Sequence, residues 1–513
     1  MSQLWEALKQ HALDKPAEPA LLRYDGKLET VHTWHSLRQS VEELANRLSM
    51  ARIETLALLG DNTPQWIIVD LACDLAGIVS LPLPSFFSAQ QVQHALTSVR
   101  VDALLVQPNY EPTCEAVNAM HGLGRLAGFE LLLPNSHESA ASKARALPEC
   151  TSKITFTSGS TGAPKGVCLS QKHMETVCTS LLEVTNDSNV MRHLCVLPFA
   201  TLLENLAGIH TPLRRGAQVI VADQSSLGFN GASGFSLPTF VQAIHACEPN
   251  SMVLIPQLLE ALVLAKDAGV ELPESFRFIA VGGATVSTAI LERAWGYGMP
   301  VYEGYGLSEC GSVVSLNGMS QCKNGSLGKP LRHCQVEIDD GEIVVRGPLF
   351  LGYVDDEASA TPVNGVFHTG DLGCIDDEGY LHFEGRRKNV IVSSFGRNIN
   401  PEWVEAEISC FPQISQCFVF GDSRPYCVAL VAAPTKTVTD AEIQDAISKA
   451  NAKLPEYAQV KRWHRLGKPL ELGKGRPLDL MTSNGRPRRG QIAQQYAEQI
   501  DFMYVSQALE QVG

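Results

Sequence analysis

Short runs of apolar residues recur along this chain, each separated from the next by a stretch with helical periodicity. Leu56-Ala57-Leu58-Leu59 stops at Gly60-Asp61-Asn62, and Ile68, Leu71, Ala72, Leu75 and Ala76 then fall at the spacing of one buried helix face. Ile78-Val79-Ser80-Leu81 follows and ends at Pro82 and Pro84. The alternation returns at 104–106, 219–221, 252–254 and 278–281. A strand that is apolar at every position has both faces covered, the situation of a parallel sheet between helices. The pattern predicts an α/β fold with stacked, mostly parallel sheets, and by itself it names no chemistry.

At 513 residues the chain exceeds what one hydrophobic core usually serves. From about residue 330 the texture changes: QVEID, GEIVVRG and HTGDLGCIDDEGYLHFEG read as short antiparallel strands with turns between them, giving a small β-rich part over 330–387. After Arg386 comes a charged connector, RRKN, then the helix-like PEWVEAEI and the strand pair CFVFG and CVALVAAP. The expected division is an N-terminal domain over 1–387 and a small α+β domain over 388–513.

The net charge of −14 argues against a nucleic-acid partner, which would need a basic face. The 14 cysteines are scattered without a CxxC pair, so buried free thiols are expected, not a disulfide framework. The opening MSQLWEALKQHALDKP lacks a basic start followed by an apolar stretch. The most apolar region, 66–87, is broken by Asp70, Asp74 and prolines, which would be costly in a bilayer. A cytoplasmic protein without a transmembrane segment is expected. GxSxG and HExxH are absent, which removes serine-hydrolase and zinc-protease readings.

The most informative stretch is ITFTSGSTGAPKG, residues 154–166. An apolar strand runs into Thr157, Ser158, Gly159, Ser160, Thr161 and Gly162, and then Pro164-Lys165-Gly166. Glycines let the backbone bend round a ligand and aim N–H groups at it; hydroxyls add donors and the lysine adds charge. That inventory suits a polyphosphate. It is not the Walker loop, because Lys165 follows proline and no serine or threonine comes after it.

This segment resembles the phosphate loop of the adenylate-forming superfamily, which includes acyl- and aryl-CoA synthetases. WIIVDLACDLAGIVSLPLPSFF, LPFATLLENLAG, VGGATVS, YEGYGLSE, GEIVVRGP, HTGD and GRRKNVIVSSFGRNINPEWVE follow the order of that family's motifs over roughly residues 20–495. The resemblance implies ATP-dependent activation of a carboxylic acid to acyl-AMP, then transfer to a thiol. It implies that residues 157–165 hold the β and γ phosphates. Tyr305 would stack on adenine, beside Glu303 and Gly304 of the same motif. Ser308 would donate to the α-phosphate and Glu309 would ligate Mg²⁺. Gly282, Gly283 and Ala284 would wall adenine and the acid carboxylate, while Asp371 and Arg386 would reach the ribose. Thr201 would face the acid. In the C-terminal domain, taken as a mobile lid, Lys388 would be the hinge, and Gly396 and Arg397 would lie where pantetheine enters. Standing alone, Asp371 and the Gly-Gly pair would be ordinary turn residues, and Arg386 a solvated charge.

The chain departs from the family in places. Arg486, in TSNGRPRR, occupies the place of the family's catalytic lysine; arginine keeps the charge but is planar and bulkier. Lys474 in ELGKG is the rival for that role. Asn389 replaces an acidic residue after the hinge, and Thr201 stands where many relatives have histidine. Amino-acid adenylating relatives carry an aspartate where this chain has Ala200, so the resemblance implies a plain carboxylic acid, and LPFATLLEN, which is similar to the long-chain fatty acyl type, implies a fatty acid. The acceptor thiol belongs to CoA or to the phosphopantetheine of an acyl carrier protein. A non-catalytic nucleotide-binding relative is the alternative from another class.

Overall fold

The computed structural model describes residues 2–108, 110, 115–134, 146–157, 164–230, 234–354, 362, 365–394, 397–471, 473, 479–482 and 485–510. Two large sheets carry the N-terminal part. In the first, Val301–Tyr305, Phe278–Val281, Ser251–Leu254, Arg192–Leu194, Gln218–Ala222 and Pro19–Tyr24 lie side by side and parallel, with antiparallel strands added at both edges. In the second, Lys153–Thr157, Val79–Leu83, Thr55–Leu59 and Ala103–Val106 form the parallel centre. The apolar runs read from the sequence are these central strands. Their side chains are buried on both faces, as a parallel sheet between other layers requires.

The helix Pro64–Ala76 shows how the layers join. Thr63 caps it by accepting from the Trp66 N–H, Pro64 sets its first turn, and Gly77 ends it in the left-handed region at φ 69°. The periodicity predicts one buried face ending at Leu75 and Ala76. Instead Trp66 through Cys73 are all buried and Leu75 and Ala76 only partly so. The reason is its position: it shares one core with Leu21, Val219 and Val221 of the first sheet and Leu56, Leu58, Ala103 and Leu105 of the second.

That burial includes Asp70. Its carboxylate accepts from Lys153 Nζ at 2.8 Å, Asn205 Nδ2 at 2.9 Å and Ser80 Oγ at 3.1 Å, and meets His210 Nε2 at 3.2 Å. Lys153 Nζ also donates to Asn205 Oδ1 at 2.5 Å. Asn205 and His210 belong to Glu204–His210, a π-helical stretch that continues as the α-helix Thr211–Arg215. LPFATLLENLAG therefore does start a helix, but one wound wider than α.

Gln335–Asp339, Glu342–Arg346, Val366–Ile375 and Leu381–Arg386 form a four-stranded antiparallel sheet. The C-terminal part has its own core, built from Gln416–Phe420, Cys427–Ala432 and Val460–Arg465 with the helices Pro401–Ser409 and Asp440–Asn451. The described cysteines are all free thiols, most of them buried. Among the described residues no helix is long and apolar enough to cross a membrane.

Candidate active site

The strand Lys153–Thr157 turns back antiparallel into Lys165–Leu169, with Thr157 opposite Lys165. Thr157 and Lys165 thus stand opposite each other at the two ends of the phosphate-loop segment. Ser158, Gly159, Ser160, Thr161 and Gly162 lie outside the described residues. Lys165 Nζ stands 4.9 Å from the Tyr353 ring centroid, and the Tyr353 hydroxyl donates to Glu309 Oε1 at 2.7 Å. Glu309 follows Ser308 in a single 3₁₀ turn, Ser308–Cys310.

Glu303, Gly304 and Tyr305 end the strand Val301–Tyr305. Just beyond it the backbone presses on the turn after Cys310: a Cβ on Gly306 would come within 1.9 Å of the Ser312 carbonyl oxygen, so no side chain fits. Tyr305 donates its hydroxyl to Asp371 Oδ2 at 2.8 Å, and Arg386 Nε lies 3.2 Å from Asp371 Oδ1. Asp371 and Arg386 are direct partners across two antiparallel strands, which explains why residues so far apart in sequence meet. Burial pushes the Asp371 carboxyl up, against the pull of Arg386, Tyr305 and Arg486.

Glu303 is buried and accepts the Val286 N–H, which staples the VGGATVS turn to this strand. Burial pushes its carboxyl up to about 8. The folded chain therefore favours the protonated form, and stability is lost as pH rises from the ordinary glutamate range through about 8. Glu303→Gln should cancel that loss. In urea titrations the parent is expected to fall behind the variant between pH 5 and 8 by roughly 2–4 kcal/mol, with no further divergence above that.

On the same side, the Gly282 N–H donates to the Leu254 carbonyl at 3.2 Å, while Gly283 and Ala284 are exposed. Arg486 arrives from the C-terminal part. The turn that carries it is closed by its N–H on Thr482 Oγ1 at 2.8 Å and the Thr482 N–H on its carbonyl at 2.8 Å. Its Nη2 reaches the Gly283 carbonyl at 3.3 Å. The residue as a whole is exposed, yet desolvation of the guanidinium by surrounding protein and then the nearby Arg386 draw its pKa down, against Asp371 and Glu309.

Direct contacts thus form three groups, Lys165–Tyr353–Glu309, Tyr305–Asp371–Arg386 and Arg486–Gly283, and the charges of Glu309, Asp371 and Arg386 all act on Arg486. Thr201 is in none of them: its hydroxyl turns back to the Pro198 carbonyl at 2.6 Å. Lys388 and Arg397 are exposed, and Gly396 and Lys474 lie outside the described residues. Asn389 holds Glu402 Oε1 at 2.6 Å, tying the connector to the following helix. Sequence reasoning missed Tyr353 and the Asp70–Lys153–Asn205–His210 group. A lysine and an aspartate inside otherwise apolar segments were the available signal for the second.

A family model described as AMP-binding enzyme matches residues 8–354, and one described as AMP-binding enzyme C-terminal domain matches 388–508. A long-chain-fatty-acid–CoA ligase, FadD15, from Mycobacterium bovis is 26% identical, covering 90% of this chain and 91% of its own. A 2-succinylbenzoate–CoA ligase from Bacillus velezensis is 28% identical over 82% of this chain and 85% of its own. The o-succinylbenzoate CoA synthetase of Bacillus subtilis, solved with ATP and magnesium ion, superposes with a TM-score of 0.71 at 23% identity, covering 94% of this chain and 98% of that one. The first match alone spans well over half of the sequence: the chain belongs to the AMP-binding enzyme family.

Proposed function

We propose that this chain activates an aliphatic carboxylic acid, a fatty acid first of all, as its acyl-adenylate and passes the acyl group to CoA. The class is that of its relatives, AMP-forming acid–thiol ligases. The observation that supports the reading is that Glu309, which shares Tyr353 with Lys165, and the Asp371–Arg386 pair all act electrostatically on Arg486.

A carboxylate is a poor acyl donor because its leaving group would be oxide. Attack of its oxygen on the α-phosphorus of ATP breaks the bond to the β-phosphate oxygen, releases pyrophosphate and leaves an acyl-AMP with a good leaving group. Such a displacement is governed by positioning and charge neutralisation. In this reading Thr157, Lys165 and the loop between them hold the outgoing phosphates. Tyr305 covers adenine, and Asp371 exchanges its present donors for the ribose hydroxyls with Arg386 alongside. Ser308 and Arg486 meet the α-phosphate, where negative charge builds up. Glu309 is a half-exposed carboxylate beside a phenol and a lysine, a hard oxygen ligand of the kind Mg²⁺ takes. Bound there, Mg²⁺ would neutralise phosphate charge. The thiol then attacks the acyl carbon and AMP leaves, with Gly396 and Arg397 along the path of the pantetheine arm and Lys388 as the hinge of the lid.

Two things favour a fatty acid. Ala200 is buried and offers no anion to an amino acid, and a fatty-acid ligase is among the relatives that cover most of the chain. The 2-succinylbenzoate ligase argues for including aromatic acids in any test. Pyrophosphate release with Mg²⁺–ATP should depend on the added acid and be greatest with fatty acids across a fatty, aromatic and amino-acid panel. Thioester should form with CoA faster than with a phosphopantetheinylated carrier protein. Pyrophosphate release that ignores every acid would sink the proposal.

A further inference from the structure

The segment after Pro348 ties together the phosphate end of the cleft. The Leu351 and Val354 N–H groups donate to the Cys168 and Gly166 carbonyls at 2.8 and 2.9 Å, and the Phe350 N–H donates to the Glu309 carbonyl at 2.8 Å. Between them Gly352 and Tyr353 pair with Cys168 and Val167 as a short edge strand. This places the Tyr353 side chain between groups of opposite charge. Its hydroxyl donates to Glu309 Oε1 at 2.7 Å, and Lys165 Nζ lies 4.9 Å from its ring centroid. The buried Phe350 ring packs on it with centroids 4.8 Å apart, which limits its swing. A carboxylate is attracted to the hydroxyl and an ammonium to the ring face. The carboxylate and the ammonium are thus held by different parts of one side chain.

We propose that Tyr353 is a positioning residue for the phosphate end of the site: its hydroxyl orients Glu309 toward a divalent cation and its ring seats Lys165 toward the triphosphate, so that anion and cation are presented separately. This rests on the adenylation reading of the cleft. In this role Tyr353 acts through Glu309 and Lys165 and touches no reacting atom.

Tyr353→Phe keeps the ring and removes the hydroxyl. In the full-length chain, Mn²⁺–ATP binding followed by electron paramagnetic resonance is expected to weaken about tenfold, from loss of one hydrogen bond to a charged group. The Mg²⁺ concentration for half-maximal pyrophosphate release should rise in parallel, while the KM for the acid and the unfolding midpoint stay at parental values. Tyr353→Leu should in addition weaken ATP binding measured in EDTA, because the seat of Lys165 is gone. Combined with Glu309→Gln, Tyr353→Phe should add little further loss of Mn²⁺–ATP affinity, since its hydroxyl works through that carboxylate. Parental Mn²⁺–ATP affinity in Tyr353→Phe, or fully additive losses in the double variant, would overturn the proposal. A parent that binds Mn²⁺–ATP in a Tyr353-dependent way yet releases no acid-dependent pyrophosphate overturns the adenylation reading and leaves the role of Tyr353 standing.

Discussion

Arg486→Ala is expected to release pyrophosphate about 10²–10³-fold more slowly than the parent while still binding ATP. The guanidinium comes from the C-terminal part, reaches the Gly283 carbonyl at 3.3 Å, and feels the charges of Arg386, Asp371 and Glu309. A cation held there by a turn of its own is placed to meet charge that grows as the acid attacks, so its loss should fall on turnover more than on ground-state binding. Arg486→Lys restores the residue type that the family carries at this position and should stay within about tenfold of the parent, because the role needs charge more than a planar fork. Single-turnover pyrophosphate release at saturating ATP measures both variants. Undiminished release from Arg486→Ala would exclude the role assigned to it, and Lys474→Ala is the next substitution to measure.

The second large effect concerns folding. Lys153→Met is expected to destabilise the chain by about 3–5 kcal/mol in urea unfolding, because it leaves the Asp70 carboxylate buried without its cation. Burial alone would push that carboxyl up; Lys153 first, and then His210, hold it well below the usual carboxylate range. Asp70→Asn should cost a similar amount by stranding the lysine. The double variant should cost clearly less than the sum, since neither charge is then left alone. Summed losses in the double variant would mean that the two residues act independently. Because Lys153 opens the strand that ends at Thr157, and Asn205 lies in the π-helical stretch, the same group fixes that strand relative to that helix. Pyrophosphate release should therefore fall in the surviving folded fraction as well.

Much of the fold was legible because burial writes itself into sequence. Strands such as Thr55–Leu59 and Ala103–Val106 are covered on both faces and so read as unbroken apolar runs, and the antiparallel strands after 330 read as alternation. The helix Pro64–Ala76 was misjudged because periodicity sees one face, whereas two sheets enclose this helix nearly all round. Of the site, the two ends of the phosphate-loop segment and the YEGYGLSE turn stood out through glycine and hydroxyl chemistry. The Asp371–Arg386 contact depends on register across a strand pair containing a bulge, which no spacing rule conveys. Tyr353 was invisible for a different reason. It lies on a two-residue edge strand and reaches a carboxylate 44 positions away, so neither local pattern nor composition marks it.

The π-helical stretch Glu204–His210 is anchored along its length: the Glu204 carboxylate takes the Val196 and Leu197 N–H groups, and His210 meets Asp70. Each of its turns encloses more chain than an α turn. Slack is thus stored between fixed points, and losing a residue there can be absorbed by tightening the coil, leaving the strands on either side in register.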